Sequence, residues 1–183
     1  VGGTKLAVRH GMTGATGNVY FGLHECEDML FLLHFLRPND LFFDVGANVG
    51  TYSVLASGVC GARTYAFEPD PETAQHLRRN IEVNAIGNLV EVKETALGPD
   101  DGDIPFTIGR GTMNKVAVPE ERNTRTVPQR RLDDIAGGQV PALIKMDVEG
   151  YEDEVLKGAS SCLRDGSLVA IEAESCSVFF ETT

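Results

Sequence analysis

The chain lacks several features, and each absence removes a class of function. Positive charge is scarce: 16 Lys and Arg stand against 27 Asp and Glu, a net charge of −11. A duplex nucleic-acid partner is therefore disfavoured, because phosphate binding draws on clustered cations. The one local exception, Arg122-Asn123-Thr124-Arg125 with Arg130-Arg131, reads as a charged loop or an anion site. No apolar run reaches the length of a membrane span, so no membrane partner is expected. Val1-Gly2-Gly3-Thr4-Lys5 shows no basic stretch followed by an apolar one, so no signal peptide is read. The four cysteines, Cys26, Cys60, Cys162 and Cys176, form no C-x-x-C pair and no zinc spacing. They read as reduced thiols of a cytoplasmic protein. The histidines His10, His24, His34 and His76 make no H-x-H or H-x-x-x-H pair, and no metal site is expected. The G-x-S-x-G elbow of Ser-His-Asp hydrolases is missing too.

What is present is an ordinary globular composition in 183 residues, 42% apolar and 23% charged, enough for one domain with a sizeable core. Short strand-like runs alternate with helix-like ones. Strands are expected at 41–45, 63–67, 89–93, 142–146 and 167–171, with a further one at 104–108. Helices are expected at 25–36, 51–58, from Pro71 with Leu77, Ile81 and Val83 buried, and at 151–157. This alternation predicts an α/β fold, a doubly wound and mostly parallel sheet with helices on both faces. Residues 1–24 read as an extended segment or hairpin, and 25–183 as a single domain. Residues 109–126 read as a loop over the site.

The chain is organised around Leu41-Phe42-Phe43-Asp44-Val45-Gly46-Ala47-Asn48-Val49-Gly50-Thr51-Tyr52: strand, carboxylate, small-residue turn, helix start. In open α/β sheets this is where ligands bind. The dinucleotide pattern G-x-G-x-x-G fails, since Asn48 and Thr51 occupy the second and third glycine positions. Asp44 at the turn would repel a pyrophosphate and suits a cationic ligand. A nucleoside carrying an ammonium and a sulfonium fits, which describes S-adenosylmethionine. Gly46 and Gly50 permit close backbone approach. Asn48 either shapes the turn or reaches the ligand.

Acids recur at the strand ends: Asp44, Glu68, Asp147, then Glu172 and Glu174. Several on one sheet edge repel one another, which suggests a polar ligand or a cation. Glu68 is placed to take a ribose diol, with helix capping as its alternative. Thr95 and Ala96 fall where such folds contact adenine. Asp147 and Glu149 are candidates for cofactor contact, acceptor positioning or general base, or for capping the next helix. His24 is a further candidate base. A magnesium ion on Asp147, Glu172 and Glu174 is a minor variant.

Ordered motifs carry a family resemblance: D-V-G-A-N-V-G-T-Y at 44–52, F-E-P at 67–69, E-T-A-L-G at 94–98, I-K-M-D-V-E-G-Y-E at 144–152 and V-L-K-G-A at 155–159. Together they resemble the FkbM family of class I S-adenosylmethionine-dependent methyltransferases over about residues 25–175. The resemblance implies a Rossmann-like fold, S-adenosylmethionine as cofactor and O-methylation of a sugar or natural-product hydroxyl. It implies that Asp44, Gly46, Asn48, Glu68, Thr95, Ala96 and Asp147 line the cofactor site. The antiparallel hairpin that normally ends the class I sheet is expected to be missing or truncated. Two other readings stay open: a non-catalytic nucleotide- or S-adenosylmethionine-binding module, and an NAD-dependent oxidoreductase, which the failed glycine pattern disfavours.

Overall fold

The computed structural model describes residues 1–8, 17–18, 22–109, 113–166, 168 and 170–173. Its centre is a five-stranded, wholly parallel sheet in the order β3-β2-β1-β7-β8. These strands are β1 (Leu41–Val45), β2 (Arg63–Phe67), β3 (Val90–Lys93), β7 (Leu143–Met146) and β8 (Ala170–Ala173). Strands buried on both faces need continuous apolar runs, and β1 and β7 are buried along their whole lengths.

Helices α1 (Cys26–Phe35), α2 (Thr51–Gly58) and α3 (Pro71–Val83) cover one face. Met29, Leu32 and Leu55 pack there on Phe42 and Leu143, and Leu77 and Ile81 pack on Ala66 and Val90. Helices α4 (Leu132–Ala136), α5 (Glu152–Lys157) and α6 (Ser160–Arg164) cover the other face. Leu132, Val155 and Cys162 share that core with Phe43, Val45, Ile144 and Met146. Full burial of Phe42 and Phe43 stabilises the fold by roughly 2–3 kcal/mol each.

The sheet starts at β1, winds outward through β2 and β3, then returns to β7 on the other side of β1. That reversal opens a crevice at the carboxyl ends of β1 and β7.

Four expectations need correction. The last strand begins at Ala170, so Glu172 lies within β8, paired with Lys145, and not beyond the strand's end. An apolar run alone leaves such a register unspecified. Val83 is exposed, and the inward position on α3 is taken by Asn80. Residues 124–126 belong to β6 (Thr124–Arg130), not to a loop. With β4 (Ala96–Leu97) and β5 (Gly102–Thr107), β6 makes a second, three-stranded sheet in the order β4-β6-β5. The strand pattern of β6 is interrupted by Pro128, which stands opposite Asp103 of β5. Two members of the arginine cluster are occupied internally: Arg125 pairs with Asp70 and Glu72, Arg131 with Asp133 and Asp134.

Asn80 ties the N-terminal segment to the body. Its Oδ1 accepts from Ala7 N at 2.6 Å, and its Nδ2 donates to Val49 O at 2.8 Å. Asn84 holds Lys5 in the same way, accepting from its N at 2.8 Å and donating to its O at 2.7 Å. Residues 19–21, the second arm of the expected hairpin, lie outside the described residues. Asn80→Ala would leave a buried carbonyl and an amide unpaired, an expected loss of about 2–3 kcal/mol. Urea unfolding measures it, and Asn84→Ala, whose bonds are more exposed, should lose less.

Candidate functional site

The turn after β1 is sewn to the end of β2. Gly46 N and Ala47 N both donate to Phe67 O, at 3.1 and 2.9 Å. Asn48 N donates to Glu68 Oε2 at 2.9 Å, and Asp70 N donates to Glu68 Oε1 at 2.9 Å. Gly46, Asn48 and Gly50 have φ of 78°, 52° and 87°, left-handed values that favour Gly and, among other residues, Asn. Asn48 therefore shapes the turn. Gly46 has a second constraint: a Cβ added there would lie 1.9 Å from the Asp147 carbonyl oxygen.

Two hollows flank this turn. The smaller, of about 50 Å³, is lined by Glu68, Thr95, Ala96, Phe106, Val116 and Tyr151 among others. The larger, of about 240 Å³, is polar and includes His24, Glu25, Tyr52, Lys145, Asp147 and Glu149. Gly46, Asn48 and Asp147 line both. Phe106 of β5 and Val116, joined to it by an isolated bridge outside the strands, both line the smaller hollow.

Glu68 is 6% exposed. Burial pushes its carboxyl up to about 8; the Asp70 and Asn48 amides oppose the shift, and the Asp70 and Asp44 charges add to it. It follows β2 and precedes α3, whose N-cap is Asp70, accepting from Thr73 N at 3.0 Å, with Pro71 next. Capping thus falls to Asp70, and Glu68 faces the hollow.

Asp44 lines neither hollow. It is fully buried in β1, with Oδ2 accepting from Ser53 Oγ at 2.6 Å and Oδ1 without a partner among the described residues. Burial raises its pKa, opposed by the Lys145 charge. Gly50 also stands outside both hollows, as the N-cap of α2. Thr95 Oγ1 donates to Pro128 O at 2.9 Å, anchoring the second sheet.

Glu149, exposed, has φ of 55° at the rim of the larger hollow. Burial and then the Asp147 charge raise its pKa, while Lys115 lowers it. His24 also lines the larger hollow, its backbone N donating to Asn18 Oδ1 at 3.0 Å.

Sequence reasoning missed Lys145. Its Nζ lies 3.1 Å from Asp147 Oδ2 and 4.6 Å from the centre of the Tyr52 ring. Burial pulls its pKa down, and the charges of Asp147, Asp44 and Glu25 more than offset this, leaving it raised. Strand pairing sets it between Asp44 and Glu172. The acids were read as repelling one another and inviting a cation, and the structure supplies that cation as the Lys145 ammonium. No group of three His, Cys, Asp or Glu suited to a metal gathers among the described residues, and Glu174 lies outside them. A lysine inside a buried parallel strand, Leu143–Met146, is itself a signal, since lysine is almost never fully buried unpaired.

Residues 44–181 match the family model described as the Methyltransferase FkbM domain. Hexuronic acid methyltransferase AglP of Haloferax volcanii is 33% identical over 153 residues, covering 81% of this chain and 62% of that protein. Methyltransferase sdnD of Sordaria araneosa is 30% identical over 159 residues, covering 67% and 61%. The chain thus spans about six tenths of the length of these relatives. Among solved structures, precorrin-6y C5,15-methyltransferase of Geobacter metallireducens has a TM-score of 0.51 at 13% identity, covering 88% of this chain and 64% of that one. That likeness is one of fold.

Proposed function

The chain belongs to the FkbM methyltransferase family, whose cofactor is S-adenosylmethionine, and from this premise we propose that it methylates a hydroxyl group of a small molecule, a sugar or natural product. The observation that carries the reading is the divided hollow. A buried carboxyl, Glu68, borders a partly apolar hollow, and a second, polar hollow shares the Gly46–Asn48 turn and Asp147 with it. An adenosine needs a flat apolar slot with an acceptor for its ribose diol, and a methionyl group needs charged partners nearby. The close approach of Gly46 to the Asp147 carbonyl holds the turn and the end of β7 together where both hollows meet protein backbone.

In this assignment Glu68 takes the ribose, Thr95 and Ala96 border the adenine, and Asp147 faces the methionyl end. Asp44 and Gly50 act from behind, holding the turn and α2. S-adenosylmethionine, when bound, supplies an electrophilic methyl group on a sulfonium. The chain's own part is to align the acceptor and remove its proton. Glu149 is our first candidate base: it borders the larger hollow, and burial and the Asp147 charge raise its pKa, which makes it a stronger base than an ordinary glutamate. Asp147 and His24 follow.

The acidic balance and the engaged arginines support a small acceptor over a nucleic acid. AglP is named for hexuronic acid, which makes sugar acids the first acceptors to try. No helix among the described residues is long and apolar enough to cross a membrane. We place the enzyme in the cytoplasm on its cysteine pattern, and keep 1–24 as an N-terminal segment on a single domain.

Calorimetric titration with S-adenosylmethionine, S-adenosylhomocysteine and NAD tests the reading. Both sulfur ligands should bind and NAD should not; binding of NAD alone would sink it. Labelled methyl donor offered with hexuronic acids, neutral hexoses and phenolic glycosides then identifies the acceptor. Tight donor binding with no transfer to any acceptor favours the non-catalytic module.

A further inference from the structure

Lys145 is the only lysine or arginine among the described residues lining the larger hollow, where Glu25, Asp147 and Glu149 also stand. Its position is over-determined. Strand register fixes its backbone between Asp44 and Glu172. Its Nζ rests over the Tyr52 ring and pairs with Asp147 at 3.1 Å. The Tyr52 hydroxyl in turn donates to Glu25 Oε2 at 2.5 Å. A lysine this buried loses hydration that an ion pair only partly returns. Packing alone would be better served by an apolar residue of similar length, and the ammonium that balances the surrounding acids also borders the larger hollow, within reach of a ligand there.

The methionyl end of the donor is an α-amino acid zwitterion. It needs an anion for its ammonium and a cation for its carboxylate. Among acids only, the carboxylate would be repelled. We propose that Lys145 is the specificity-determining residue for the methionyl carboxylate, with Asp147 facing the methionyl ammonium from the other end of the same ion pair. The inference rests on the donor reading above and adds a residue and a role to it. A zwitterion laid along an ion pair of opposite polarity satisfies four charges at once, so losing either end of the ligand leaves a buried charge unmatched.

Three probes test this by calorimetry: S-adenosylmethionine, its decarboxylated form, and 5′-methylthioadenosine, which has no methionyl amino acid. The unaltered protein should bind S-adenosylmethionine at least about tenfold more tightly than the decarboxylated form. Lys145→Met should weaken S-adenosylmethionine by about tenfold or more and leave methylthioadenosine within about twofold. The decarboxylated ligand should hold or gain affinity, because unopposed carboxylates attract its cations. Lys145→Arg, which keeps the charge, should keep the order of the first two ligands. Equal weakening of all three ligands by Lys145→Met would reveal a merely structural role and overturn the proposal. So would an unaltered protein that fails to distinguish S-adenosylmethionine from its decarboxylated form, a result needing no variant to fold. Failure of the unaltered protein to bind any of the three instead removes the donor reading itself.

Discussion

Glu68→Ala is expected to weaken S-adenosylhomocysteine binding by about a hundredfold, the loss of two charge-assisted hydrogen bonds to a ribose diol at about 1.5 kcal/mol each. The carboxyl is already held by the amides of Asn48 and Asp70, so it is pre-aimed and little ordering is needed on binding. The same group makes the site pH-sensitive. Its pKa stands at about 8, against the 4.5 of an ordinary glutamate, chiefly through burial. At pH 7 the free protein therefore holds a proton there. A carboxylate accepts two hydroxyl donors better than a carboxylic acid does, so donor binding should expel that proton. Calorimetry in buffers of different ionisation heat should show proton release below pH 8 that disappears in Glu68→Ala. Undiminished affinity in Glu68→Ala would refute the ribose assignment, and binding enthalpies independent of the buffer would show the carboxyl ionised before binding.

The linkage to folding has a definite sign. An acid with a raised folded-state pKa binds its proton more tightly when folded. Its stabilising contribution is whole below the unfolded value near 4.5 and is lost as pH rises through about 8. Wild-type stability should therefore fall between pH 5 and 8 relative to Glu68→Ala. The full span corresponds to about 4–5 kcal/mol as an order of magnitude. Urea unfolding of both proteins at several pH values measures the difference.

Gly46→Ala carries the second large effect. Two penalties add at this position: φ of 78°, which costs an L-residue roughly 1–2 kcal/mol, and the methyl group 1.9 Å from the Asp147 carbonyl oxygen. The obstacle is backbone in the strand-end region of β7, so relief requires parting β1 from β7. The expected destabilisation is about 4 kcal/mol or more, with donor binding lost, since Gly46 and Asp147 line both hollows. Gly150→Ala separates the two penalties. Its φ is 93° but nothing lies within 4 Å of the added Cβ. It should lose only the conformational part, about 1–2 kcal/mol. Equal losses at both positions would show that the β1–β7 approach does not constrain residue 46.

Much of the site was legible because its signals are local. The run Leu41 to Val45 ending in a small-residue turn announces a buried strand and a ligand loop, and both strand and turn stand where they were expected. Glu68 was found as the acid after the second strand, and the structure lays it against the smaller hollow. Less legible were the walls. Phe106 comes from the strand expected at 104–108, but Val116 reaches that hollow from the stretch read as a loop, joined to Phe106 by an isolated bridge, and a single bridge leaves no alternation by which a strand is recognised. Asn80 was hidden for another reason. A polar residue on a helix reads as solvent-facing until its partners are known, and these, Ala7 and Val49, lie far away in sequence.

The sequence by itself determined the winding of the parallel sheet, the acid-fronted turn at 44–50 and the family. Each rests on periodicity, backbone dihedral demands or an ordered motif, all confined to a few neighbouring residues. Only the tertiary structure decided which charges meet. Asp44, Lys145 and Glu172 come from three strands far apart in the chain, and their shared row depends on cross-strand register. A pattern of period two assigns a residue to a face of the sheet but not to its neighbours on that face. The acids that looked like a repelling edge are thus a set built around one buried lysine.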